Sequence, residues 1–436
     1  MKKYFPFLLF FCWVMAIAQK APDNRFVKEN FIKKEVYIPM RDGVKLFTSI
    51  YIPKDISKAK KYPFLMQRTC YSVAPYGENE YRSALGPNKY LMNEKYVFVY
   101  QDVRGRYMSE GTFTNMTPQV ERKTKKDVDE STDTYDTIEW LLKNINNNNG
   151  KVGQYGTSYP GFYTAAGILA DHPALVASSP QAPISDFWND DFLHNGKFML
   201  GYFRTFPVFG VQKTKAEKEG WYMDSFVKPT SEDGLKFYRE MGTLKDGYEK
   251  YYKDNFFMTE IMNHPNYDEY WQKRSLLPHL KNVNHAVMTV GGWFDAEDLA
   301  GPLNIYKTIE KNSPKAKNTI VMGPFSHGAW SRETGKHFHN EIYFGDSIAT
   351  YYQKNLETKF FHHYLKENSK TDAGLPEAMM YDTGKKEWKE FTNYPPKNAQ
   401  KINFYLANGT LNKNPSASFS EYYSDPNNPV LSSDNL

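Results

Sequence analysis

The chain has 436 residues, with 55 basic and 50 acidic side chains, a net charge of +5 and 16% aromatic residues. So small a basic excess, spread evenly, offers no footprint for nucleic acid. The length suits one large domain with additions, or two to three domains.

The first residues read as an export signal. Lys2 and Lys3 precede an apolar run over 5–15, and Ala16-Ile17-Ala18 is a small-x-small cleavage site. The run is too short to span a bilayer, and Phe10 and Phe11 are too bulky to precede a lipidated Cys12. The expectation is an exported protein, periplasmic or extracellular, cleaved near Ala18 and without a stable membrane anchor. Losing Lys2 and Lys3 takes the net charge from +5 to +3 and leaves Cys70 as the one cysteine. Such a chain has no internal disulfide and depends on a large core.

Residues 36–39 and 44–52 flank Arg41-Asp42-Gly43 and predict a hairpin. Strands are predicted over 62–67 and 96–101, the second running into Asp102-Val103-Arg104-Gly105-Arg106. Tyr135, Ile138, Leu141 and Leu142 have helical spacing over 133–144, with Ser131, Thr132 or Asp133 as cap, and 146–150 ends that helix. A strand over 151–155, the turn Gly156-Thr157-Ser158-Tyr159-Pro160-Gly161 and a helix over 161–170 follow. Strand–helix alternation resumes only near 285–290 and 319–322. Between them, about 185–280, the chain is aromatic and charged with helical patches, as an inserted cap would be. A helix over 347–365 closes the second half. After Gly374, short alternating runs at 378–381, 388–391 and 402–406 suggest an all-β region.

The turn at 156–161 carries the chemistry. A serine held between a strand and a helix, with small neighbours, is how an α/β-hydrolase exposes a nucleophile. The usual pattern has glycine two residues after the serine; here Pro160 stands there and glycine comes one later. Serine needs a histidine base oriented by a carboxylate, in the chain order Ser, acid, His. Asp295 follows the strand at 285–290, and His327 follows the one at 319–322. His172, His285, His362 and His363 are worse placed as bases. The developing oxyanion needs donors: the Tyr159 N–H is one, and the loop Arg68-Thr69-Cys70-Tyr71 is placed to supply another.

Taken together, Gly-x-Ser-Tyr-x-Gly at 156–161, the 68–71 loop, the 101–106 segment, Trp293-Phe294-Asp295 and Gly323-Pro324-Phe325-Ser326-His327 resemble the family of cocaine esterase, α-amino acid ester hydrolases and X-Pro dipeptidyl-peptidases. The resemblance runs from about Lys34 to the C-terminus. It implies an α/β-hydrolase domain with an inserted helical cap and a C-terminal β jelly roll, which has room here for only a few strands and reads as incomplete. The implied divisions are a signal peptide over 1–18, hydrolase halves over 19–185 and 281–373, a cap over 186–280 and the β region over 374–436. It also implies Ser158 as nucleophile, His327 as base, Asp295 as orienting acid, and the Tyr71 hydroxyl beside the Tyr159 N–H in the oxyanion hole. Family members have proline where this chain has Cys70.

Asp295-Ala296-Glu297-Asp298 places two more carboxylates beside the acid, a costly arrangement unless a cation compensates it. In the α-amino acid ester hydrolases a carboxylate cluster holds the substrate ammonium. By that resemblance Glu297 and Asp298 belong to it, with Asp191, favoured over Asp190, as third member. The competing reading makes these acids a solvated loop or the cap of a helix starting near Leu299.

The expectation is a serine hydrolase cleaving esters of amino acids with a free α-amino group, with their amides as a secondary candidate substrate. Acyl transfer to β-lactam nuclei is implied by the resemblance. The alternatives are an X-Pro dipeptidyl-peptidase or general acyl esterase, and an inactive carbohydrate-binding exoprotein. Partners are small amino acid esters or short peptides. No cofactor and no metal are expected, since no ligand spacing is present. The oligomeric state stays open, a homo-oligomer included. Arg104 and Arg106 are expected to brace loops through buried ion pairs, and aromatics such as Trp188, Tyr202 and Phe203 to form mostly cap core, with one or two left to line the acyl pocket.

Overall fold

Apolar runs buried on both faces, such as Val97-Phe98-Val99-Tyr100, are what a parallel sheet covered by helices requires, and they lie at its centre. The computed structural model describes residues 23–425 apart from 122, 229–233, 333–334, 408 and 416–418. The expected signal peptide and its cleavage site lie outside the described residues. Ten described strands form one sheet: β1 (Phe31–Pro39), β2 (Lys45–Pro53), β3 (Tyr62–Thr69), β4 (Val97–Asp102), β5 (Asn148–Thr157), β6 (Leu175–Gln181), β7 (Ala286–Gly292), β8 (Asn318–Gly323), β9 (Ala378–Asp382) and β10 (Glu387–Phe391). Their spatial order is β1-β2-β4-β3-β5-β6-β7-β8-β9-β10. Every neighbouring pair from β4 to β9 is parallel; the pairs β1–β2, β2–β4 and β9–β10 are antiparallel. This is an α/β-hydrolase fold.

Three expectations change. The helix expected over 133–144, here α1 (Glu130–Asn144), begins earlier than its apolar spacing suggested, because Asp129 caps it. The Asp129 side chain accepts from the N–H groups of Ser131 and Thr132, at 3.0 and 2.9 Å, while the Thr132 hydroxyl accepts from the Asp129 N–H at 2.9 Å.

Second, alternation resumes at β6, long before residue 285. Serines and Pro180 disguise this strand. In the sheet, the Ser179 hydroxyl donates to the Met288 carbonyl at 2.9 Å, so its polarity is absorbed by the neighbouring strand.

Third, β9 and β10, expected to open a separate β region at 374, extend the main sheet instead. Val321 of β8 pairs in register with Met379 of β9. The later run at 402–406 contributes to a small hairpin, Tyr405–Ala407 with Thr410–Asn412.

The segment 186–280 is chiefly helical, with helices at Gly234–Met241, Leu244–Tyr251 and Phe256–Asn263. Its rings join those of α2 (Tyr159–Ile168) in one buried cluster that includes Tyr159, Phe162, Phe192, Phe206, Phe209 and Trp271. This segment thus shares a core with α2, and its Phe187 and Phe209 rings pack against Tyr159, the residue after Ser158. No described helix is long and apolar enough to cross a membrane.

Candidate active site

Loops leaving the C-terminal ends of parallel strands are where open α/β sheets place working groups. Tyr71 follows β3, Ser158 follows β5, Asp295 follows β7 and His327 follows β8.

Ser158 has φ +68° and ψ −130°, a conformation that costs a non-glycine residue about 1–3 kcal/mol. Its N–H donates to the Gln181 carbonyl at 2.9 Å, and its own carbonyl accepts from the Phe162 N–H at 3.0 Å. The turn leaves no room beside it. A Cβ at Gly156 would lie 2.2 Å from the Pro160 carbonyl oxygen, and one at Gly161 would lie 2.4 Å from that of Gln181. This accounts for the late glycine: the close approach to β6 falls at position 161. Proline fits at 160 because N–H groups of a helix's first turn have no intrahelical acceptor.

The His327 Nδ1 lies 2.8 and 3.0 Å from the two Asp295 carboxylate oxygens. Burial works to raise the Asp295 pKa, but the His327 contact and the N–H groups of Asp298 and Glu297, both at 2.9 Å, outweigh it and hold the acid below its ordinary value. Burial likewise works to lower the His327 pKa, and the carboxylates of Asp295, Glu297 and Asp191 reverse this and raise it. Gly328 packs against the serine turn, since a Cβ there would lie 3.4 Å from Thr157 Cγ2. No hydrogen bond between Ser158 and His327 is present among the described residues; the Nε2 of His327 instead lies 3.5 Å from a Glu297 carboxylate oxygen.

Tyr159 opens α2, so its N–H faces outward unpaired by the helix. Its ring is locked in place: the hydroxyl donates to Asn115 Oδ1 at 3.0 Å and accepts from the Met116 N–H at 2.9 Å. The partly exposed Tyr71 sets its ring edge against Tyr159 and Phe209, at 6.3 and 6.2 Å between centroids. Burial of the hydroxyl, with Cys70 and Asp191 nearby, raises its pKa well above the ordinary value, so it stays a donor.

The three expected cluster acids converge. The Asp191 N–H donates to the Glu297 carbonyl at 3.0 Å. The Asp191 Oδ1 accepts from the Tyr202 hydroxyl at 2.9 Å, and its Oδ2 has no partner. Asp298 is fully buried with neither carboxylate oxygen bonded. Burial, then the mutual repulsion of these acids, pushes Asp191 up to about 7 and raises Asp298 as well. Asp190 differs. It accepts from the Ser185 N–H and hydroxyl and from the Gly301 N–H, at 3.0, 2.8 and 2.8 Å, and so braces the backbone. The helix Ala300–Asn312 starts at Leu299 without a side-chain cap, so Asp298 is not spent as a helix cap.

Other residues fall into supporting places. Burial pushes the Cys70 thiol up to about 12, which makes it inert at neutral pH. His172, His285 and His362 engage Glu139, Ser178 and Glu94 at 2.8 Å each. Arg104 pairs with Asp42 and Asp133, both at 2.7 Å, as expected. Arg106 does not form the expected ion pair: its guanidinium lies 4.7 and 4.6 Å from the rings of Phe113 and Trp221, while its Nε donates to the Cys70 carbonyl at 3.0 Å. Aromatic faces take the place of a carboxylate there. Sequence reasoning passed over Asn115, whose contact with Tyr159 crosses 44 positions and leaves no local signal. Tyr202, grouped with aromatics expected mostly to form core and in part to line the pocket, brings its hydroxyl to Asp191.

Residues 42–329, well over half of the chain, match the X-Pro dipeptidyl-peptidase (S15 family). The chain belongs to this family. Among family relatives, the cocaine esterase of Rhodococcus sp. (strain MB1 Bresler) is 24% identical over 92% of this chain and 69% of its own length. An aminopeptidase from the marine sediment archaeon Thaumarchaeota archaeon is 31% identical with a TM-score of 0.80, covering 95% of this chain and 67% of its own. An α-amino acid ester hydrolase is 28% identical, also with a TM-score of 0.80, covering 96% of this chain and 69% of its own. The chain spans about two-thirds of the length of each of these three. As an S15 family member with the α/β-hydrolase fold, it is a hydrolase of the type that acts on ester or peptide bonds.

Proposed function

We propose that this protein is an exported serine hydrolase that cleaves esters, and amides, of amino acids carrying a free α-amino group. The observation that carries this reading is the convergence of Asp191, Glu297 and Asp298 beside the His327–Asp295 pair, with three carboxylate oxygens of Asp191 and Asp298 left without partners. Buried carboxylates without partners hold their protons until a cation compensates them, and the one a substrate supplies next to its carbonyl is an α-ammonium.

Ser158 Oγ attacks the substrate carbonyl while His327 Nε2 takes the hydroxyl proton and Asp295 stabilises the resulting imidazolium. The Tyr71 hydroxyl and Tyr159 N–H donate to the tetrahedral oxyanion. Collapse of that intermediate breaks the bond to the leaving group, which His327 protonates. Water then resolves the acyl-enzyme by the same steps in reverse roles; an amine nucleophile in its place gives acyl transfer, including transfer to β-lactam nuclei.

Likeness to an α-amino acid ester hydrolase supports ester substrates, and the 31% identity to an archaeal aminopeptidase supports amino-terminal peptide bonds as a second substrate class. Both need the same ammonium site. Comparing phenylglycine methyl ester with its N-acetyl form tests the reading: the free-amine ester is turned over with the higher kcat/KM. Equal rates for the two would overturn it.

A further inference from the structure

The Nε2 of His327, the atom that has to face Ser158 for catalysis, lies 3.5 Å from a Glu297 carboxylate oxygen. Its Nδ1 is held by Asp295 at 2.8 Å. The imidazole therefore sits between two carboxylates, one on each nitrogen, an arrangement that favours the doubly protonated ring. A ring in that state cannot accept a proton from serine.

The other groups facing this pair do not relieve the charge. Asp191 is itself acidic and acts on His327 in the same sense as Glu297, and Asp298 adds a further acid to the group. The Nε2 of His194 meets the backbone carbonyl of Glu297 at 3.2 Å, not its carboxylate. Arg332 donates to the His327 carbonyl and not to the acids. The Tyr202 hydroxyl donates to Asp191 Oδ1 at 2.9 Å and also neighbours the Glu297 side chain, but it is neutral and cancels no charge.

We propose that Glu297 is a gating residue: it engages His327 in the substrate-free enzyme, and the substrate ammonium releases the base by taking over that carboxylate. This rests on the ammonium-binding reading above. When the ammonium binds, Glu297 turns to it, the Nε2 proton leaves to solvent, and the freed lone pair faces the Ser158 hydroxyl. Imidazolium and ammonium compete for one carboxylate, so each weakens the other's hold by the same factor. The enzyme thus assembles its nucleophile when a charged amine is in place, which discriminates against neutral esters beyond what binding alone provides. The raised pKa of His327, to which Glu297 contributes after Asp295, agrees with this arrangement.

The test uses fluorophosphonate labelling of Ser158, which needs no substrate amine, followed from pH 6 to 9. Glu297→Gln keeps the shape and removes the charge, so its labelling is expected to rise at lower pH than in the wild type, about two- to fivefold faster at pH 6. Glu297→Ala shifts the profile the same way if charge is the cause. Ethylammonium, compared with sodium at equal ionic strength, speeds wild-type labelling at pH 6 and leaves Glu297→Gln unaffected. A Glu297→Gln profile that superimposes on the wild type overturns the gate, and leaves the ammonium site standing if phenylglycine methyl ester is still preferred to its N-acetyl form. Loss of that preference together with no ethylammonium effect overturns both. A shifted profile without an ethylammonium effect overturns the release step.

Discussion

The backbone N–H of Asp191 donates to the carbonyl of Glu297 at 3.0 Å. One hydrogen bond thereby ties the start of the segment 186–280 to the loop that carries Asp295, Glu297 and Asp298. Asp191 adopts φ +60° to do so, a left-handed conformation that aspartate and asparagine tolerate better than most residues. The acids are thus held together by backbone geometry, against their own repulsion.

Burial, together with that repulsion, has a stability consequence. Asp191 titrates at about 7 in the folded state against an ordinary 3.8. Between those values the folded chain binds the extra proton, so stability falls as pH rises through this window. Asp191→Asn is expected to stabilise the protein at pH 8 by on the order of 1–3 kcal/mol and to have little effect at pH 4. Thermal denaturation at the two pH values measures this, and the same variant should bind the amine ester more weakly.

The pH dependence of kcat/KM follows from the same groups. His327 must lose its proton and its pKa is raised, so activity falls on acidification at a higher pH than for an ordinary histidine; Asp191, at about 7, loses its charge over the same range. The alkaline limb is set by the substrate amine, which deprotonates at about 7.7–8. A narrow bell is expected for the free-amine ester, and the N-acetyl ester should lack the alkaline limb.

Asp295→Asn removes the charge that orients His327 and stabilises its imidazolium. A fall in kcat of about 10⁴-fold is expected, with a fold intact by circular dichroism. A loss below tenfold would reassign the acid.

Tyr71→Phe removes one oxyanion donor and keeps the ring contacts with Tyr159 and Phe209. It should lower kcat about 10²–10³-fold with KM nearly unchanged. Steady-state kinetics on a single ester separates this from a binding role.

Gly161→Ala puts a methyl group 2.4 Å from the Gln181 carbonyl oxygen. Backbone has to move, at a cost of about 1–3 kcal/mol, and the Ser158 turn moves with it. Urea denaturation reads the first effect and fluorophosphonate labelling the second.

What the sequence determined by itself is local. The serine turn, the strand-end positions of Asp295 and His327 and the hairpin around Arg41-Asp42-Gly43 depend on residues adjacent in the chain, where sterics and periodicity leave a mark. Resemblance extended this to Tyr71 and the acid cluster, and the structure brings those residues to one place. Tertiary structure alone decided the rest. Leu175–Gln181 became a central strand through neighbours that absorb its serines, and Ala378–Asp382 joined the main sheet through pairing with β8. Asp190 and Asp191 are adjacent and chemically identical, yet one meets backbone donors and the other only Tyr202. The side of the backbone each faces is set by contacts about 100 residues away. No local pattern carries that, because it depends on which distant groups are brought together.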